Sequence, residues 1–149
     1  FAQPITALVG PTLALAVGAV RVELGWSFGA ATHPMGDAEL SLGRASLGLR
    51  VSCARWPVLS VCGSVWGSVG YAQATPSPNP DASLATATGP YGSAAGELSA
   101  SFATEWIAVE LALRGGYGSG LVLLAYGEEF AALGGPFFGM NLGLELAPF

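Results

Sequence analysis

The chain has no lysine, a single histidine, two cysteines, and charged residues at only 10% of its 149 positions. Each shortage removes a class of explanation. Five arginines stand against ten acidic residues, for a net charge of −5. That leaves no basic face of the kind nucleic acid requires. Two cysteines and the distant His33 do not make a zinc-ligand set, so no metal and no cofactor is expected. The glycine-rich stretch at 115–120 lacks the lysine and following helix of a phosphate loop. Charge also falls well short of the about 25% typical of a soluble domain. Long apolar runs are missing as well, and nothing approaches the ~20 residues of a membrane-spanning helix.

What is present is hydrophobicity: 52% of residues are apolar and the mean hydropathy is +0.54. It is dispersed by alternation. Residues 20–28, Val-Arg-Val-Glu-Leu-Gly-Trp-Ser-Phe, are apolar at even positions and charged, small or hydroxylic at odd ones. A strand turns alternate side chains to opposite faces, so this segment has one oily and one polar face. The polar faces along the chain carry almost all the arginines and many glutamates. In a soluble sandwich charges face water; in a membrane barrel apolar faces meet lipid and charges line a closed lumen. The composition favours the barrel, a single all-β domain over 1–149 with antiparallel up-and-down transmembrane strands, about eight in number.

The pattern predicts strands near 6–16, 20–30, 38–53, 58–73, 91–103, 107–114 and 137–147. Residues 119–134 lack alternation and suggest a short hairpin extension. In the third strand Leu40 and Leu42 lie on one parity, and Ala45, Leu47, Leu49 and Val51 on the other. A β-bulge near Gly43-Arg44 would restore the face. Connections alternate short (17–19, 54–57, 104–106) and longer (31–37, 74–90, 115–136), as periplasmic turns and extracellular loops do. This puts Cys53, Trp56 and Trp106 at the periplasmic rim. Seven strands are found where an even number is expected, so an ascending strand is missing ahead of Phe1, 119–128 supplies one, or a partner closes the edge.

Cys53 and Cys62 flank a hairpin turn around Arg55-Trp56-Pro57, and a disulfide is expected over two free thiols. Alternation puts Cys53 on the oily face and Cys62 on the polar one, so the bridge calls for an irregular turn that Pro57 would permit.

The barrel reading assigns nine charges to the lumen: Arg21, Glu23, Glu39, Arg44, Arg50, Glu97, Glu110, Arg114 and Glu145. Near balance of sign implies pairing, because an unpaired buried ion costs several kcal/mol, and arginine's planar fork suits bidentate carboxylate contacts. About eight strands leave room only for side chains, so the lumen is expected to be plugged. Trp66 falls on the lumen parity among serines and glycines. Trp26, Phe28, Tyr71, Tyr91, Trp106 and Phe138 fall near strand ends, where aromatic girdles sit. His33 reads as a loop histidine rather than part of a Ser–His pair, and Glu128-Glu129 as two solvated acids rather than a cation site.

Three stretches carry a resemblance: Ala-Glu-Leu-Ser-Leu-Gly (38–43), the cysteine hairpin from Val51 to Gly63, and the closing Gly-Met-Asn-Leu-Gly-Leu-Glu-Leu-Ala-Pro-Phe (139–149). With these the chain resembles small outer-membrane β-barrels of Gram-negative bacteria, in particular GC-rich, lysine-poor ones. Phe149 looks like that family's C-terminal assembly signal, although Leu142, Leu144 and Leu146 are one residue out of step with it. The resemblance implies an outer-membrane protein without enzymatic activity, in contact with lipid, structural or scaffolding in the envelope. Its partners would be other envelope proteins or further copies of itself. The alternative is a secreted all-β protein that assembles into an oligomer or filament.

Overall fold

A computed structural model describes the backbone of residues 7–33, 36–77, 86–120, 122–125, 128–132 and 134–146. All regular structure in these residues is β: β1 (Ala7–Val9), β2 (Thr12–Val17), β3 (Val20–His33), β4 (Gly36–Arg55), β5 (Leu59–Ser77), β6 (Ala87–Ala103), β7 (Ile107–Ser119), β8 (Val122–Ala125), β9 (Glu128–Ala132) and β10 (Gly135–Leu146). Eight of them form one antiparallel sheet in the order β1-β3-β4-β5-β6-β7-β10, with β2 also on β3. It is a meander curled into a half-barrel. β1 and β2 follow one another along the same edge of β3, interrupted at Gly10-Pro11, as expected where proline removes a ladder donor. The sheet therefore has seven strand positions, the number that alternation predicts. β8 and β9 make a separate two-stranded hairpin, in the region where the pattern suggested an extension.

Turn chemistry sets the joints. Val17 pairs with Val20, leaving Gly18-Ala19 as a two-residue loop, and Gly18 has φ +61°. A tight hairpin needs that left-handed conformation, and glycine reaches it without a Cβ clash. Several strands exceed the lengths read from the sequence. β3 ends at His33 and β4 starts at Gly36, so residues 31–33 and 36–37 of the expected loop are strand. β5 and β6 reach to Ser77 and Ala87, which shortens the 74–90 loop from both sides.

The bulge is displaced from its expected position. Pairing of β4 with β5 is unbroken from Asp37 to Arg50, so Gly43-Arg44 carries no bulge; the register shifts between Arg50 and Ser52 instead. Two consequences follow. Even-numbered residues of β4 therefore face the concave side from Ala38 to Arg50, which turns Leu40 and Leu42 inward with 3% and 2% exposure, and Glu39 outward. The extra residue at Val51 also brings Cys53 directly opposite Cys62, their Cα atoms 4.2 Å apart, and the two form a disulfide. The parity conflict between the cysteines is resolved by this bulge, not by the turn at Pro57.

Candidate functional site

The concave side holds a chain of alternating charge. Arg21 and Glu23 project inward from β3, Glu97 from β6, and Glu110 and Arg114 from β7, each on the inward parity of its strand. Arg114 is 5% exposed and uses its whole guanidinium. Its Nε and Nη2 donate to Glu97 Oε2 at 2.9 and 2.6 Å, and its Nη1 and Nη2 donate to Glu23 Oε2 at 3.1 Å each. Arg21 donates from Nη1 to Glu110, and its Nε lies 3.3 Å from Glu23 Oε1 without hydrogen-bond geometry. The order Glu97–Arg114–Glu23–Arg21–Glu110 therefore crosses the interior from β7 to β3. Each buried carboxylate meets a cation, which offsets the several kcal/mol that removing each ion from water costs.

Trp66 on β5 completes this cluster. It is 4% exposed, and Arg114 Cζ lies 3.9 Å from its ring centroid. At that separation a desolvated cation–π contact is worth about 2 kcal/mol. The ring has room because its cross-strand partner is Gly48: a Cβ there would lie 2.6 Å from the indole carbons. The indole N–H has no acceptor among the described residues. The cavity bordered by Arg21, Arg50, Ser64, Trp66 and Ser99 measures about 10 Å³, room for about one water. Charge pairs and one large ring fill the middle of the interior.

Of the nine charges expected in the lumen, Arg21, Glu23, Glu97, Glu110 and Arg114 are joined in this way. Arg44 and Arg50 lie on the inward parity of β4 but enter no ion pair among the described residues. Glu39 is a correction: without a bulge at 43–44 it is exposed on the outer face. The side chains of Glu145, His33, Glu128 and Glu129 lie outside the described residues. No group of three or more metal-ligating residues occurs among those described.

The convex side is apolar. Val22, Leu24, Leu47, Leu49, Val65, Leu98, Leu113, Met140, Leu142 and Leu144 are all exposed there, Leu142 at 76%. Trp26, Phe28, Tyr71, Trp106 and Phe138 are exposed with them, and the rings of Trp26 and Phe28 lie 6.5 Å apart. Tyr91 is the exception. It sits on the inward parity of β6, and a Cβ added at inward-facing Gly118 would lie 2.9 Å from its hydroxyl. The sequence reading assigned Tyr91 by its nearness to a strand end; counting parity back from Glu97 would have turned it inward. Trp56, which the sequence reading set at a rim, is equally exposed, and so are Phe102 and Tyr117, which it left out of the aromatic set. Phe102 and Tyr117 share parity with apolar neighbours that were assigned outward, which was signal enough.

Beyond the ionic cluster the interior changes character. Ala38, Leu40 and Leu42 on β4 meet Ala72 and Ala74 on β5, all between 0% and 3% exposed. The outer face at this level carries Glu39, Ser41, Gln73 and Thr75. Sequence reasoning assigned the two leucines to the outside, on the premise that apolar residues keep one direction along a strand. Comparison with protein-family models, curated proteins and solved structures finds no match to this chain.

Proposed function

We propose that this chain is a non-enzymatic integral β-barrel protein of a bacterial outer membrane, with a polar lumen plugged by its own side chains. Its role is structural or scaffolding, in contact with lipid and with other envelope proteins. The observation that carries the reading is the inversion of polarity around the curled sheet. A buried Arg114 is held by two carboxylates on the concave side, while leucines, valines and aromatic rings lie exposed across the convex side. Monomeric soluble proteins rarely expose contiguous apolar patches beyond a few hundred Å², and lipid is the solvent that such a belt fits. Strand length agrees. β4 and β5 have 20 and 19 residues, about twice the 9–11 that cross hydrocarbon, and their far ends revert to polar-outside, apolar-inside.

Extraction from cells tests this directly. The full chain is expected to require detergent and to show heat-modifiable mobility on a gel. In planar bilayers it should give no stable conductance, because the cluster around Trp66 leaves space for little more than one water. Release into aqueous buffer as a monodisperse species would overturn the reading. A second reading draws on the two strand edges of the half-barrel that are unpaired among the described residues: a secreted sheet that assembles edge to edge, which would show detergent-independent, concentration-dependent growth instead.

A further inference from the structure

The outer edges of β1/β2 and of β10 have no strand partner among the described residues. In a bilayer such edges are costly, since no water satisfies their N–H and C=O groups. Every pairing in the sheet is antiparallel, so alternate positions run in the same direction, and the first position (β1/β2) and the seventh (β10) therefore run parallel to one another. They cannot close as an antiparallel pair. A single strand of opposite direction between them pairs antiparallel with both.

The ion pairs agree with a ring of that size. β3 occupies the second position and β7 the sixth, and Arg21–Glu110 and Arg114–Glu23 join them directly across the interior. In a ring of eight these positions are diametrically opposed, and about eight strands enclose an interior that side chains just fill. A second copy fits neither constraint. Edge pairing in antiparallel fashion would invert one copy relative to the membrane. Pairing in the same orientation would give a ring of fourteen, twice the seven positions of one sheet, too wide for β3 and β7 to touch.

We infer that the gap between β1/β2 and β10 is a docking slot for one amphipathic strand from a partner segment, running antiparallel to both edges and completing an eight-stranded ring. The inference rests on the membrane reading for its apolar outer face. The strand matches the 12 residues of β10 in length and carries apolar side chains on its outward parity. Its inward parity takes side chains larger than those flanking the slot, which are Thr12, Ala14 and Ala16 on β2 and Gly139, Asn141 and Gly143 on β10. A Cβ at Gly139 would meet only the Arg114 carbonyl oxygen, at 4.0 Å, so space is open there.

The test uses the full chain in phosphatidylcholine vesicles with a synthetic peptide copying residues 107–119, the sequence that already pairs antiparallel with β10. The peptide carries a photo-crosslinker at its outward Leu113 position. Adducts on both Thr12–Val17 and Gly135–Leu146, lost with a peptide of scrambled alternation, are the expected result. Adducts on one edge alone overturn the slot. So does a disulfide forming without peptide between cysteines introduced by Leu15→Cys and Leu142→Cys, or adducts only in dimeric chain. Flotation of the chain alone with vesicles reads the membrane proposal separately, and repeating the cross-linking in detergent micelles reads the slot whatever flotation gives.

Discussion

From Arg44 to Arg50, β4 turns Arg44, Ser46, Gly48 and Arg50 toward the interior and Ala45, Leu47 and Leu49 outward. From Ala38 to Leu42 the same strand, in the same register, turns Ala38, Leu40 and Leu42 inward and Glu39 and Ser41 outward. The pleat is continuous between the two stretches; only the chemistry of the faces is exchanged. A parity switch in sequence is thus of two kinds. One is an inserted residue that rotates the chain, as between Arg50 and Ser52. The other is a change of surroundings with no change of geometry. On the membrane reading the exchange marks the level where the barrel leaves the hydrocarbon: below it an ionic interior inside a greasy wall, above it an apolar core inside a polar wall, as in a soluble barrel.

Five substitutions sharpen or break this contrast, each read by urea unfolding in lipid vesicles with tryptophan fluorescence. Arg114→Met should have the largest effect. It strands Glu23 and Glu97 without their shared cation, at a cost of about 3–5 kcal/mol for a broken buried ion pair; a change under about 1 kcal/mol would mean the cluster is not dry. Leu40→Ala should cost about 3 kcal/mol, as for a buried leucine in a packed core. Equal tolerance at Leu40 and at outward Leu142 would dissolve the difference between the two levels. Leu142→Arg should cost about 2–4 kcal/mol if that residue lies near the bilayer midplane. The equivalent charge at the upper level, Glu39→Arg, should stay within about 0.5 kcal/mol as an exposed change does. Trp66→Phe should have a small effect within the cluster, about 1 kcal/mol or less, since the ring still fills the site beside Gly48 and the lost N–H has no acceptor there. A larger loss would show that the cation–π contact with Arg114, stronger for tryptophan than for phenylalanine, dominates over packing.

Much of the strand layout was legible because a strand's period of two is written directly into its residues. The seven positions and the inward set Arg21, Glu23, Glu97, Glu110 and Arg114 follow from counting parity within single strands, whereas the cysteine pair was legible from its hairpin spacing and against parity. The failures share one cause. Glu39, Leu40 and Leu42 were placed by assuming that apolar residues keep a constant direction, and that assumption is about environment, not backbone. Tyr91 was placed by position along the strand when parity was the better guide. Strand ends at His33, Ser77 and Ala87 were underestimated because threonine, alanine and proline near those ends lack the strong alternation that the rest of each strand shows.

What the sequence determined by itself is therefore the partition of side chains between two faces of each strand, since the pleat allows no other arrangement within an unbroken register. Tertiary structure alone decided where that register breaks, because a one-residue bulge is specified by pairing with the neighbouring strand and not by any local preference. It decided, too, which charges meet. Arg21 and Glu110 lie 89 residues apart and come together only because the curl of the sheet brings the second position across from the sixth.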